Sequence, residues 1–211
     1  MIWDQTGETS TIATHSPVRK KDTRDNGGAL LTANQVLKIH ASDKGSETIL
    51  ANLAITQPNA AGFATVYACN EGLPNPLTSS INFAAGQTIA NFVIAKADSS
   101  GDVCITSNVA THMIWDQTGE TNVVATHNPV RKKDTRDTNG AKVMTNGDVR
   151  IHATDIGGQT IIGNLAITQP EAGGFATAYP CAEGIPVPLT SNINFVSGQT
   201  VANNVIVKAG R

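Results

Sequence analysis

The sequence predicts an all-β protein, and three observations support this. Thr, Asn, Gly, Val and Ile dominate the 211 residues, whereas the helix-favouring Leu, Glu and Lys are scarce. Short apolar or alternating runs are separated by Gly, Pro and Asn turn signals. No stretch shows a convincing helical period. Strands at this spacing, in a unit of about 110 residues, indicate a two-sheet β-sandwich of immunoglobulin-like size.

The strands of the first unit follow from these patterns. Alternation in Lys38–Ala41 and Asn91–Lys96 directs one face towards a core and the other towards solvent. Turn signals such as Ser100-Gly101-Asp102 separate the runs. We expect strands over Met1–Gln5, Val36–Ala41, Thr48–Thr56, Phe63–Tyr67, Ser80–Phe83, Thr88–Ala95, Val103–Thr106 and Met113–Gln117.

The chain contains two copies of one unit, offset by 112 residues without insertion or deletion. The run MIWDQTGET at Met1 returns at Met113, and NLAITQP at Asn52 returns at Asn164. Across the overlapping parts of the two copies, 64 of 99 aligned pairs are identical. This self-similarity indicates a tandem array of one structural module.

The register of the repeat divides the chain into three parts. Residues 1–10 match the last strand of a module, so we assign them to a preceding or neighbouring module. The first β-sandwich repeat covers 11–122. The second covers 123–211 and lacks its last strands, which would follow Lys208. The sequence is therefore typical of a window from a longer array, or of a subunit that a neighbour completes.

Charge and hydropathy argue against two classes of partner. Fifteen Lys and Arg residues oppose 17 Asp and Glu residues, for a net charge of -2. That balance gives no electrostatic basis for binding nucleic acid. No apolar run approaches the ~20 residues that a membrane helix needs. We expect neither nucleic-acid binding nor membrane insertion.

The three cysteines follow the repeat. Cys181 is the copy of Cys69, while the copy of Cys104 would fall beyond Arg211. One disulfide per module, between Cys69 and Cys104, is the simplest pairing and leaves Cys181 unpaired in this chain. Two buried free thiols are the alternative. A disulfide would indicate an oxidising, extracellular compartment.

Seven runs spread through the unit carry a family resemblance. They are Asp22–Asp25, Asn52–Thr56, Ala60–Cys69, Ser80–Phe83, Gly86–Asn91, Gly101–Cys104 and Thr111–Asp116. In order and spacing the unit resembles a repeat module of secreted, largely uncharacterised actinobacterial-type surface proteins, with the pattern LDTR…LNVT…GFLTVYPCG…SNLNFxxGQTVAN…VCI…VVDVxG. The resemblance implies an extracellular module, often in tandem, without known catalytic residues. Gly119-Glu120-Thr121 departs from the Gly-Tyr-Phe that ends the family pattern.

A short run of acidic and basic residues occurs in both copies of the repeat. Clustered carboxylates beside glycine suit calcium, but the spacing of a calcium loop is absent. An arginine between two carboxylates favours an internal ion pair that orients a turn. We therefore predict a structural ion-pair turn from Asp22, Arg24, Asp25, Asp134, Arg136 and Asp137.

No constellation in the sequence indicates catalysis or a metal. There is no Gly-x-Ser-x-Gly motif. The spacing of the histidines does not bring them together, and they are His15, His40, His112, His127 and His152. We expect no enzyme activity, no cofactor and no metal.

Two function classes remain. The first is an extracellular structural protein that self-associates into a surface array or filament. Its assembly strand would be Met1, Ile2, Trp3, Asp4 and Gln5, donated head to tail to the second module of another chain. The alternative is a carbohydrate-binding or cell-wall-binding, lectin-like adhesion module that uses the loops Asn70–Thr78 and Ala182–Thr190. Both classes imply secretion and a cell-surface location.

Overall fold

The structure is a computed structural model that describes residues 11–12, 14–137, 142–187 and 190–210. Over these residues it is all-β, as the sequence predicts, with antiparallel strands and three short 3-10 turns. The predicted strand Met1–Gln5 lies outside the described residues. In chain order the strands are β1 Thr14–Asp22, β2 Val36–His40, β3 Thr48–Thr56, β4 Gly62–Ala68, β5 Ile81–Phe83, β6 Ile89–Lys96, β7 Asp102–Ser107, β8 His112–Thr121, β9 Thr160–Thr168, β10 Gly174–Ala176, β11 Ile193–Phe195 and β12 Thr200–Lys208.

Strands β1 to β8 form two four-stranded sheets. The first sheet has the order β1-β8-β3-β6, and the second has the order β2-β7-β4-β5. Strands from both sheets supply one apolar core, because alternate residues of each point inward. Its largest fully buried side chains include Trp115, Ile49, Leu53, Ile105 and Met113. Strands β7 and β8 occupy interior positions, so each is hydrogen-bonded on both edges.

Strand β1 is the element of the first repeat that sequence patterns do not predict. Eight of its nine residues are exposed, and it carries Pro17 and a run of charges instead of alternation. An edge position suits both features, since proline cannot donate to an interior ladder. Arg19 fastens the strand to β8 by donating from Nε to Oδ1 of Asp116 at 2.8 Å. The strand thus depends on its neighbour more than on its own sequence.

The turn between β6 and β7 positions the start of β7. Oδ1 of Asp98 accepts hydrogen bonds from the backbone N–H groups of Ser100 at 2.8 Å and Asp102 at 3.0 Å. Gly101 has a φ of 80°, and its carbonyl accepts from the backbone N–H groups of Ala41 and Ser42. A Cβ at Gly101 would come within 1.6 Å of the Ser42 carbonyl oxygen. Glycine is therefore required here.

The second repeat retains two separate strand pairs. Strand β12 pairs with β9, and β10 pairs with β11. Their registers repeat those of the first repeat: Thr160 faces Lys208 as Thr48 faces Lys96. Side chains connect the two repeats, as when Nδ2 of Asn204 donates to the Phe92 carbonyl at 2.5 Å.

Candidate functional site

The candidate site is the place in the second repeat that corresponds to β7 and β8. By the 112-residue offset, the copies of these two strands fall beyond Arg211. In the first repeat, the pairs β3·β6 and β4·β5 do not involve them, and both pairs recur in the second repeat. Segments whose only partner in the first repeat is β7 or β8 do not form strands there. Residues 126–134, 148–152 and 177–180 are these segments.

The copy of β1 shows this effect most directly. Thr14–Asp22 reads THSPVRKKD, and residues 126–134 read THNPVRKKD, so the two differ at one position. The first is a nine-residue strand paired with β8. The second has no strand structure. Since the sequences are nearly the same, the presence of the β8 partner distinguishes the two states.

Apolar side chains are exposed at the same place. Leu37 and Ile39 on β2 are 8% and 4% exposed, because they point into the core beside β7. Their copies Val149 and Ile151 are 38% and 49% exposed. Strand β9 likewise has exposed and half-buried positions where most of β3 is buried. The second repeat therefore exposes apolar side chains and open strand edges along β9 and residues 126–134 and 148–152, a surface termed the groove below.

The predicted ion-pair turn occurs in both repeats. In the first, Oδ1 of Asp22 accepts from the backbone N–H and Nε of Arg24, at 3.0 and 2.9 Å, and Oδ2 accepts from its NH2 group at 2.6 Å. Asp134 and Arg136 repeat these distances in the second. The ion pairs of the described residues leave out Asp25.

These contacts set the charge of the turn. Hydrogen bonds from Arg24 hold the pKa of the Asp22 carboxyl far below its usual value, and Arg136 does the same for the pKa of Asp134. Asp137 ends the second copy of the turn and forms no ion pair with another described residue. Because the turn forms in the second repeat too, it does not need β8.

The turn carries the attachment point for β8. Thr23 donates its backbone N–H to the Met113 carbonyl at 3.0 Å, and its Oγ1 accepts from the Met113 N–H at 2.9 Å. Oγ1 also lies 3.1 Å from Nδ1 of His112. Thr135 occupies the matching position in the second repeat. The turn around Thr135 keeps the hydrogen-bonded geometry of the first copy.

Asp102 on β7 is a second attachment point. Its carboxylate lies 2.6 Å from Nζ of Lys38 and 2.9 Å from Nδ1 of His40, both on β2. The hydrogen bond to Asp102 raises the pKa of His40, and the hydrogen bond to Asp43 has a smaller effect in the same direction. In the second repeat Arg150 and His152 take the places of Lys38 and His40.

The cysteines agree with the pairing predicted from the sequence. Cys69 and Cys104 form a disulfide with a Cα–Cα distance of 5.0 Å, which joins the end of β4 to β7. Cys181 is a free, exposed thiol at the matching end of the second repeat. The sequence predicted this state from the position of the copies.

The loop Asn70–Thr78, one of the two considered for carbohydrate binding, is partly occupied by the chain itself. Nδ2 of Asn128 donates to the Gly72 carbonyl at 3.2 Å, and Arg131 donates to the Leu77 carbonyl at 2.7 Å. A shallow depression of about 310 Å³ beside them is lined by Glu71, His127, Asn128, Val130 and Lys132. These contacts take up two backbone acceptors of the loop Asn70–Thr78.

The titratable side chains that the structure describes do not converge on a metal-binding arrangement. Among the described residues, no group of three or more His, Cys, Asp or Glu is placed to hold a metal ion. His15 and His127 each contact the backbone carbonyl of the next residue. His152 pairs with Asp155 at 2.8 Å.

Sequence reasoning identified the open end of the second repeat but missed two parts of the groove. It did not foresee that the copies of β1 and β2 would lose their strand structure. The signal was available in the alternation of Leu37 and Ile39, whose copies Val149 and Ile151 need the same cover.

Comparisons with known proteins give no match: no family model, no curated protein and no solved structure matches the chain. The resemblance to secreted surface modules stays a prediction. No helix in the described part of the chain is long and apolar enough to cross a membrane.

Proposed function

We propose that this protein is an extracellular structural protein whose tandem modules assemble head to tail by strand donation. The segment Met1–Thr9 of one copy enters the second repeat of the next copy. There it lies between β9 and residues 126–134, as β8 lies between β3 and β1 in the first repeat. Repetition of this step builds a surface array or filament.

The selective loss of strand structure in the second repeat carries the proposal. Strand pairs that do not need β7 or β8 keep their register. Residues 126–134, almost identical to β1, form no strand without a β8 partner. Open strand edges with unpaired N–H and C=O groups are templates for another strand. An acceptor of this shape matches a donor with the sequence of β8.

The donor segment has that sequence. Met1–Thr9 and Met113–Thr121 are identical at all nine positions. In β8, Met113 and Trp115 are fully buried in the core, and Nε2 of Gln117 donates to the Ala41 carbonyl at 2.9 Å. The same residue types would fill the groove of the second repeat. A fully buried tryptophan contributes several kcal/mol through the hydrophobic effect.

Donor and acceptor lie on different parts of one chain, which determines the form of the assembly. Such a contact is heterologous, so each added copy leaves a free donor at one end and a free acceptor at the other. Copies can therefore add at either end, and the chain of copies grows along one axis unless its ends close into a ring. The disulfide of the first repeat supports an oxidising, extracellular setting.

Deletion of residues 1–10 tests the proposal. We expect the 22.0 kDa chain to form particles of several copies, and the deletion variant to stay monomeric. Light scattering after size exclusion and electron microscopy give the two readouts. Unchanged filaments in the deletion variant would overturn the proposal.

Two point variants sharpen the test without changing chain length. Trp3→Asp places a charge where β8 buries Trp115, so we expect assembly to be lost. Glu8→Gln is the matched control. Glu120, the residue in β8 that corresponds to Glu8, pairs with Lys44, whose copy is Ile156. Assembly should survive this change, and equal effects of both variants would contradict strand insertion.

A glycan and peptidoglycan-fragment array covers the alternative function. Specific binding that is lost on substitution within Asn70–Thr78, together with a monomeric wild-type chain, would replace the proposal by a carbohydrate-binding module. No binding, with filaments present, supports assembly.

A further inference from the structure

We propose that the first repeat of one copy docks on the second repeat of the copy that accepts its donor strand, in the way that the two repeats dock within one chain. The docking surface is the outer face of β3 and β6, formed by Asn52, Ala90 and Phe92 and termed the β6 face. Its partner is the edge of the second repeat at β11 and β12 of the accepting copy. The inference rests on the proposed strand donation and adds a second interaction surface between the copies.

The contact between the two repeats of one chain provides the pattern. Strand β12 of the second repeat lies against β5 and β6, which are the edge strands on one side of the first repeat. Nδ2 of Asn204 donates to the Phe92 carbonyl at 2.5 Å, and Nδ2 of Asn164 donates to the Ser79 carbonyl at 2.5 Å. The outer face of β9 and β12 thus covers an open edge of the first repeat.

Burial in the two repeats shows which side chains this contact covers. Ala202 on β12 is 8% exposed, whereas its copy Ala90 on β6 is exposed. Phe92, the copy of Asn204, is 42% exposed. The two strands have the same register in both repeats, so the contact between the repeats accounts for the burial of Ala202. Ala90 and Phe92 therefore form an uncovered copy of a surface that the second repeat uses for docking.

The edge that receives this surface is also repeated. Thr48 is 2% exposed, and its Oγ1 donates to the Val124 carbonyl at 2.6 Å and lies 2.8 Å from Oγ1 of Thr126. Its copy Thr160 is exposed. Ser191 is exposed too, at the place that corresponds to the acceptor carbonyl of the first repeat. Each copy therefore presents one docking face and one receiving edge.

The residue types allow two polar contacts to recur between copies. Asn52 matches Asn164, so its amide would donate to the Ser191 carbonyl of the accepting copy. Thr14 matches the threonine that meets Thr48 within the chain, and it is exposed on β1. It would meet the corresponding threonine of the accepting copy. Both contacts have the donors and acceptors that the chain already uses between its repeats.

Two other contacts change at a junction between copies. Phe92 takes the place of an amide donor and contributes apolar surface instead. Within the chain, Oδ1 of Asn128 accepts from the Ala68 N–H at 2.9 Å. The copies of these residues are Ser16 and Pro180, and proline has no N–H to donate. The junction therefore depends on the two recurring polar contacts and on apolar burial across the β6 face.

Strand donation brings the β6 face to this edge. In the first repeat, β8 ends at Thr121 opposite Thr48, and Thr126 contacts the same threonine. The donor segment is followed by β1 at the same spacing as β8 is followed by residues 126–134. A donor paired in register with β9 therefore places the first repeat of its own chain at the receiving edge. One rotation and translation then relate each repeat to the next throughout the assembly.

Substitution on the β6 face tests the inference in the full chain. Ala90→Glu places a charge at a position whose copy Ala202 is buried, so we expect the protein concentration needed for assembly to rise at least about tenfold. Ala84→Glu is the matched control, because Ala84 and its copy Val196 are both exposed. Light scattering over a concentration series measures both. Thermal unfolding of both variants in the Δ1–10 background should match that of the Δ1–10 protein, because both alanines are exposed.

Cryo-electron microscopy of the filaments gives the direct readout. We expect the rotation and translation between the two repeats of one copy to equal those across the junction between copies. A different relation across the junction would overturn the inference, even with a donor strand in the groove.

The outcomes separate this inference from strand donation. Assembly of Ala90→Glu at the wild-type concentration would overturn docking of the β6 face. If Trp3→Asp still prevents assembly in that case, strand donation stands; if it does not, both proposals fail. If Ala90→Glu blocks assembly, a peptide of the sequence Met1–Thr9 should still protect residues 126–134 of this variant from hydrogen exchange, because the peptide does not need the β6 face. Absence of that protection would overturn strand donation and, with it, the inference.

Discussion

Gly101 is a residue at which the backbone leaves no room for a side chain. It combines a φ of 80° with a close approach to the Ser42 carbonyl. We expect Gly101→Ala to lower the free energy of unfolding by about 3 kcal/mol or more, because both the φ and the contact must change. Gly86→Ala is the control: Gly86 has a φ of 68° but open space around it, so the cost should be about 1 kcal/mol. Urea unfolding measures both, and equal losses would contradict this account.

The Asp22 carboxylate makes the free energy of unfolding depend on pH. Its folded pKa lies below the ordinary 3.8, so its contribution is present above that value and is lost as the pH falls through the folded pKa. We expect Asp22→Asn to cost roughly 1–3 kcal/mol at neutral pH, through weakened charged hydrogen bonds. The difference from wild type should shrink towards about pH 2. Urea unfolding at both pH values checks this, and a constant difference would contradict it.

At the scale of elements, the disulfide holds β7 to the end of β4. It closes a loop of 35 residues in sequence separation. We expect the double substitution Cys69→Ser and Cys104→Ser to lower stability by roughly 3–4 kcal/mol. Cys181→Ser is the control and should leave the monomer unchanged, because that thiol is free. Thermal unfolding of the Δ1–10 background compares them, and similar losses from both would refute this role.

Sequence patterns predict the strands in which apolar and polar residues alternate or in which apolar residues form a short run. Strand β3 has the predicted bounds Thr48–Thr56, and β2 and β4 lie within one or two residues of theirs. Strand β1 is beyond such patterns, because its exposed charges owe their strand conformation to β8. The copy of β1 shows the reason. A nearly identical sequence forms a strand only where a partner strand is present, and the presence of a partner cannot be predicted from local sequence.

The candidate site was predictable to a similar degree. The repeat offset alone predicts the free state of Cys181 and places the copies of β7 and β8 after Arg211. The donor strand Met1–Gln5 lies outside the described residues and stays a prediction. The lining of the groove was not predictable, because it depends on which strands β7 and β8 lie between. Only the observed sheet orders show that β1 and β2 are edge strands, so that their copies lose the one strand with which they would pair.

At the scale of the whole molecule, the proposed strand donation predicts that the second repeat can be completed within one chain. Residue Arg211 aligns with Ser99, so a copy of Ser100–Thr121 fused after it continues the repeat in register. We expect the fusion protein to be monomeric with residues 1–10 intact, because its own strands fill the acceptor. Light scattering measures this.

Hydrogen exchange supplies the second readout for the fusion. Residues 126–134 and 148–152 should become protected, as strands β1 and β2 are. A fusion with the added sequence scrambled is the control and should still assemble. Filaments formed equally by both fusions would show that assembly does not use this groove.

The interior position of β8 has a mechanical consequence. Its ladder to β1 and its ladder to β3 both run antiparallel along the strand. If such a strand joins one copy to the next, tension along the fibre pulls it lengthwise between two neighbours. The hydrogen bonds of both ladders then lie across the load and share it, instead of opening one after another. We therefore expect the joint between copies to resist stretching as well as the interior of a single repeat does.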